Sequence, residues 1–121
     1  MKAMAAERIL LIEDEPDSAD LLALGLRSAG YTVDVAETAA LARTRLDGMR
    51  YALVIVDWRL PDGDGIEIAD VAAATGAKTI LTSCYVLQMP AARVAAHEIL
   101  MKPLRPRELL AAVERTIGGP I

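Results

Sequence analysis

The sequence contains no phenylalanine, and its 121 residues hold only three tyrosines and one tryptophan. A core of packed aromatic rings is therefore excluded. The interior must be built from Leu, Ile, Val, Ala and Met, in a chain whose hydrophobic content is 54%. Cys84 is the single cysteine, so no internal disulfide can form, and a reducing, cytoplasmic setting is the expectation. His97 is the single histidine, and without a second His or a Cys beside it there is no basis for a zinc site. No apolar run reaches the length needed to cross a bilayer and no signal-peptide pattern opens the chain, so no membrane partner is expected. Charge of either sign is unconcentrated: 13 basic against 17 acidic residues give a net charge of −4. With no basic stripe, direct contact with nucleic acid is not expected.

What is present is a regular alternation. Residues 8–12 (RILLI) form a short apolar run that ends in Glu13, Asp14 and Glu15. Pro16 then stands where a helix can begin, with Asp17 and Asp20 in the part of a helix where the dipole favours acids. Ala19, Leu22, Leu26 and Ala29 recur at helical spacing until Gly30 stops them. Residues 31–36 alternate as a strand does, and a helix follows from about Thr38, with Ala42, Leu46 and Met49 on one face. Residues 52–56 (ALVIV) are apolar throughout, the pattern of a parallel strand covered on both faces. Ile66, Ala69 and Ala73 mark a third helix, 79–82 a fourth strand, Pro90 to Ala96 a weak Ala-rich helix and 98–101 a fifth strand. Leu109, Val113 and Ile117 define a last helix closed by Gly118 and Gly119. Five strand–helix units without a linker or repeat predict an α/β fold, a doubly wound parallel sheet with helices on both faces.

In such sheets ligands bind beyond the carboxyl ends of the strands. The residues predicted at those ends are chemically coherent. The first strand delivers Glu13 and Asp14, the third Asp57, the fourth Thr82 and Ser83, and the fifth Lys102 followed by Pro103. Three carboxylates gathered together do not all stay ionised without a cation. Oxygen donors in an open site suit Mg²⁺. A lysine and a hydroxyl facing such a site can neutralise and orient a phosphoryl group, and an aspartate can itself attack phosphorus. Asp62 and Asp64 are accounted for by turn formation, and Gly63 and Gly65 by a sharp turn into the third helix. Cys84 reads as a packing residue.

The fragments "IEDE", "IVDWRLPDGDG", "ILTS" and "MKP", each at a strand end and in this order, resemble the receiver domain of two-component response regulators. The likeness covers residues 8–118, leaving 1–7 as an N-terminal extension and 119–121 as a C-terminal tail. It implies a flavodoxin-like five-stranded sheet in the order 2-1-3-4-5. By the same resemblance Asp57 is the phosphoacceptor, loaded by a sensor histidine kinase or a histidine phosphotransfer protein. Asp14 and Asp57 would bind Mg²⁺ directly, the carbonyl of Arg59 would be a third ligand, and Glu13 would act through water. Thr82 and Lys102 would each hold a phosphoryl oxygen, and the Lys102–Pro103 peptide would be cis. Phosphorylation would switch a contact with an output protein, or pass the phosphoryl group onward. The chain reads as a stand-alone receiver, or as one cut from a longer regulator.

The sequence departs from that family at one switching position. An aromatic residue three before the lysine is usual, and here it is Ile99. Tyr85 is the nearby aromatic, available as a substitute or simply as packing. The intervals between Asp57 and Thr82, and between Thr82 and Lys102, are also short, so the third and fourth helices should be trimmed. Two rival functions remain. A phosphatase of the haloacid-dehalogenase type uses the same strand-end aspartate but places a second acid two residues later, where this chain has Arg59. A pseudo-receiver would act as an interaction module without phosphorylation.

Overall fold

A computed structural model describes residues 8–118; the expected extension (1–7) and tail (119–121) lie outside the described residues. Twelve helices and strands follow in chain order: β1 (Arg8–Ile12), α1 (Pro16–Ser28), β2 (Thr32–Ala36), α2 (Ala39–Gly48), β3 (Leu53–Asp57), β4 (Arg59–Leu60), β5 (Gly63–Asp64), α3 (Gly65–Ala74), β6 (Lys78–Ser83), α4 (Ala91–Val94), β7 (Glu98–Met101) and α5 (Pro106–Ile117), with a 3-10 turn at Val86–Gln88 before α4. The main sheet is parallel in the order β2-β1-β3-β6-β7. Counted along this sheet alone, that is the expected 2-1-3-4-5. Two-residue strands β4 and β5 form a separate antiparallel hairpin directly after β3, where only turn signals were legible.

The alternation of side chains along each strand builds two apolar layers without a phenylalanine. Ile9, Leu11, Leu53, Ile55 and Ile80 pack under α1 and α5 against Leu22, Leu26, Leu109 and Val113. Their neighbours Leu10, Ile12, Val54, Val56 and Leu81 face the other way, toward Ala42 of α2, Ile66, Ile68 and Ala69 of α3 and Val94 of α4. Both faces of β1 and β3 are consequently dry, which is why those strands read as unbroken apolar runs.

Helix boundaries follow local chemistry. Glu15 caps α1 through Ser18 N (2.7 Å), Pro16 occupies the first turn, and Gly30, at φ 104°, ends the segment in a conformation open to glycine. Thr38 caps α2, and Asp62 reaches across from the β4–β5 hairpin to accept from Ala39 N (2.7 Å) and Ala40 N (3.0 Å). Asp64 caps α3 through Ile66 N and also binds Arg93 Nη1 at 3.0 Å. Asp62 lies in the turn of the hairpin, as expected, and both acids serve in addition as helix caps. The fourth helix is a single turn, shorter than its predicted span.

Gly65, where the chain turns from β5 directly into α3, also serves close packing. A β-carbon there would sit 2.0 Å from the carbonyl oxygen of Asp57, and Gly65 N donates to Trp58 O at 2.7 Å. The start of α3 is thus pressed against the backbone that carries Asp57. The Lys102–Pro103 peptide is cis, as expected.

Candidate functional site

The carboxyl ends of β1, β3, β6 and β7 deliver the site. Glu13 continues β1, its N–H donating to Ala36 O (3.0 Å), and its side chain is 3% exposed. Asp57 is the last residue of β3, inside the strand rather than just beyond it, and pairs in register with Thr82 of β6. Lys102 follows β7 and is tied down by its N–H to Ser83 O (3.0 Å). Carboxylate oxygens of Glu13, Asp14 and Asp57 lie within 4.8 Å of one another, with Asp14 on the solvent side.

One cation serves this cluster from below. Lys102 Nζ donates to Glu13 Oε1 at 2.8 Å and to Asp57 Oδ2 at 3.3 Å. Glu13 Oε2 also accepts from Glu15 N (3.2 Å), so a nearly inaccessible carboxylate keeps partners on both oxygens. Burial pushes the Asp57 carboxyl up to about 6; Lys102 pulls the other way, and the charges of Glu13 and Asp14 add to the rise. For Lys102 burial disfavours the ammonium, but the hydrogen bond to Glu13 and the charges of Asp57 and Glu13 outweigh it and hold its pKa above the usual value. The site is therefore a cluster of negative groups only partly neutralised, open to a divalent cation on its solvent side.

The structure brings Glu13, Asp14, Asp57, Thr82 and Lys102 to one end of the sheet. Thr82 is buried and its carbonyl accepts from Trp58 N at 2.9 Å. Arg59 begins β4, two residues past Asp57. Its guanidinium carbon lies 4.8 Å from the centre of the Trp58 ring and 5.0 Å from that of Tyr85, and Nη2 reaches Gln88 Oε1 at 3.5 Å. Sequence reasoning did not find this arrangement. Its one signal was an adjacent Trp–Arg pair followed by a tyrosine beyond the next strand.

One other expectation is corrected. Cys84 is exposed rather than packed. Ile99, where an aromatic is usual, is half-buried against the apolar layer of α2 and α3. The His97 side chain is fully enclosed, with Nδ1 against Thr79 Oγ1 and Nε2 at 2.8 Å from Asp70 Oδ1. No helix among the described residues is long and apolar enough to cross a membrane.

Comparison with known proteins agrees with this geometry. The family model described as response regulator receiver domain matches residues 9–114. The DNA-binding response regulator MtrA of Mycolicibacterium smegmatis is 32% identical over 114 residues, covering 88% of this chain and 49% of that protein. The transcriptional regulatory protein VxrB of Vibrio cholerae is 31% identical over 121 residues, covering 97% and 49%. The chain thus spans about half the length of the curated relatives it matches. Among solved structures, the CheY-like receiver domain protein of Methanospirillum hungatei superposes with a TM-score of 0.83 at 28% identity, covering 90% of this chain and 91% of that one. The response regulator TrrA of Thermotoga maritima, solved in complex with Mg²⁺–BeF, gives 0.81 at 31% identity and covers 90% and 97%. Site geometry, sheet order and sequence likeness converge, and the chain belongs to the response regulator receiver domains, the phosphorelay modules of two-component signalling.

Proposed function

We propose that residues 8–118 form a receiver that takes a phosphoryl group on Asp57 from a sensor histidine kinase or a histidine phosphotransfer protein, in a Mg²⁺-dependent reaction. The modified domain then switches a contact with an output protein, without touching nucleic acid itself. The observation that carries this reading is the convergence of three carboxylates and one ammonium where β1, β3 and β7 end.

The donor set fits Mg²⁺: all three side chains are carboxylates, with no nitrogen or sulfur ligand among them. Asp14 and Asp57 would hold the ion directly, with the Arg59 carbonyl, and Glu13 would act through water. Bound there, the ion would offset the charge of the incoming phosphoryl oxygens. A complex of the related TrrA with Mg²⁺–BeF supports the same pairing of ion and phosphoryl analogue here.

The chain's own residues supply the remaining steps. A carboxylate oxygen of Asp57 attacks phosphorus and forms the O–P bond. The bond from phosphorus to the donor breaks, and the leaving donor keeps the electron pair. Burial that raises the Asp57 pKa keeps this oxygen poorly solvated and hence reactive. Lys102 exchanges its contact with Asp57 for a phosphoryl oxygen while its bond to Glu13 keeps it in position. Thr82, opposite Asp57 in register, offers a hydroxyl to another oxygen. The domain acts on its own side chain rather than turning over a separate substrate. A phosphatase reading lacks its second acid, since Arg59 stands there with its head group over the Trp58 and Tyr85 rings. A pseudo-receiver would have no use for the complete carboxylate set and Lys102.

The test is intact mass after incubation with acetyl phosphate, with and without Mg²⁺, on the wild type and Asp57→Asn. The expected result is one phosphoryl mass gained only when both Mg²⁺ and Asp57 are present. No gain, combined with no change in Trp58 emission on adding beryllofluoride and Mg²⁺, would overturn the reading.

A further inference from the structure

We propose that Tyr85 is a positioning residue that reports phosphorylation of Asp57 to the Tyr85–Gln88 surface turn, through the Arg59 guanidinium it shares with Trp58. The inference deepens the phosphoacceptor reading and rests on it.

Arg59 links the β4–β5 hairpin to the turn that follows β6. Its backbone belongs to the hairpin that follows Asp57, while its head group lies 5.0 Å from the Tyr85 ring and 3.5 Å from Gln88 Oε1, both in the turn that follows β6. The guanidinium carbon also lies over the Trp58 ring, 4.8 Å from its centre. Arg59 makes no ion pair among the described residues, although three carboxylates are clustered at the strand end two residues before it. Its present contacts are two ring faces and one hydrogen bond at the long limit, which hold an exposed guanidinium weakly.

Phosphorylation changes this balance. Asp57 carries at most one negative charge, whereas a phosphoryl group brings about two and three strong acceptor oxygens. Lys102 is already shared between Glu13 and Asp57. Arg59 is the cation nearest in sequence with no carboxylate of its own, and its planar fork matches phosphoryl oxygens in a way its aromatic contacts cannot. As the guanidinium turns toward the phosphoryl group, Tyr85 and Gln88 lose their shared partner.

The consequence is local because the turn is anchored at both ends. Tyr85 N donates to Ser83 Oγ (2.8 Å) on one side, and Met89 is buried on the other. Between them Tyr85 is 50% exposed and Leu87 is 96% exposed. An apolar side chain at the tip of a turn whose tie to the β4–β5 hairpin is sensitive to charge makes this stretch the part of the surface that changes.

The experiment is hydrogen exchange of residues 84–89 in the whole chain, before and after acetyl phosphate and Mg²⁺, in the wild type, Tyr85→Phe and Tyr85→Leu. Intact mass and Trp58 emission are read in parallel. The wild type should gain the phosphoryl mass, shift its Trp58 emission and exchange about threefold faster in this segment. Tyr85→Phe, which keeps the ring face, should behave as the wild type. Tyr85→Leu should gain the same mass but exchange fast from the start, with no further response. A Tyr85→Leu segment that still responds as in the wild type overturns the proposal, as does a phosphorylated wild type whose segment stays unchanged. Absence of the mass gain in the wild type would instead remove the phosphoacceptor reading itself, and the proposal with it.

Discussion

The centre of the sheet and its β7 edge are held by different forces. Every residue of β3 before Asp57 is at most 1% exposed, and Ile9 to Ile12 of β1 are the same. At the edge, Glu98, Ile99 and Leu100 are only half-buried, Met101 is 61% exposed, and the preceding α4 is one turn long. Burial of apolar side chains secures the first region. The second depends on directional polar ties: His97 between Thr79 and Asp70, Arg93 on Asp64, and Arg115 Nη2 on Glu98 Oε2 at 2.6 Å. The contrast teaches where rigidity is needed. Carboxylates that must be held close together in spite of their charge stand on the apolar centre, while the surface next to the edge is left free to change at low cost.

The comparison is broken most severely by Gly65→Ala. The added carbon meets the Asp57 carbonyl at 2.0 Å, so α3 must move away from β3 or β3 must deform. We expect a loss of at least about 3 kcal/mol by urea unfolding, together with weakened Mg²⁺ binding by titration, because the displaced backbone carries Asp57. Retention of both stability and affinity would show that the centre is softer than its burial implies.

Asp57→Asn tests the electrostatic cost of the same region. Folding raises the Asp57 carboxyl from its ordinary value to about 6. Below the ordinary value both states are protonated and nothing is lost. Between there and about 6 the unfolded chain ionises while the folded one resists, so stability falls as pH rises; above that the cost is constant. Asp57→Asn should therefore be more stable than the wild type by about 2–3 kcal/mol at pH 8, the opposing pull of Lys102 being already contained in the shift, and the gain should vanish below about pH 4. Mg²⁺ should close the gap at pH 8 by stabilising the wild type alone. Urea curves at the two pH values check this.

His97→Ala moves to the edge. It removes an enclosed ring, leaves the Thr79 hydroxyl without that partner, and unties the β7 side from Asp70 on α3. A loss of about 1.5 kcal/mol is expected, with faster hydrogen exchange in residues 90–101 and unchanged exchange in β1 and β3. Loss of protection across the whole sheet would mean that edge and centre unfold together.

The same contrast explains what could be read in advance. Apolar runs such as Leu53–Val56 and Ile9–Ile12 announce strands buried on both faces, and an acid at the end of each marks the functional end of a parallel sheet. The carboxylates, Thr82 and Lys102 were legible for that reason, as was the sheet order once the family likeness was recognised. The features that escaped depend on tertiary contacts between distant residues. A hairpin of two-residue strands is too short to show a period. Gly65 is required by a carbonyl that only the folded chain brings near, and Asp62 caps a helix that begins 23 residues before it. His97 finds partners 18 and 27 residues away, and Arg59 finds Gln88 at 29. None of these leaves a periodic signal.

The smallest expected effect separates the edge's polar ties from one another. Arg115 and Glu98 form a short ion pair, but their side chains are 58% and 37% exposed, so water screens the attraction and both side chains give up freedom to hold it. Arg115→Ala should cost no more than about 0.5 kcal/mol and leave exchange in residues 90–101 unaltered. His97 makes its bonds without solvent at the ring, where a lost partner is not replaced. If Arg115→Ala loosens the edge as much as His97→Ala does, number of ties rather than enclosure holds β7. If only His97→Ala does, the edge has a single internal latch, placed on Thr79 of β6, the strand that three residues later carries Thr82 beside Asp57.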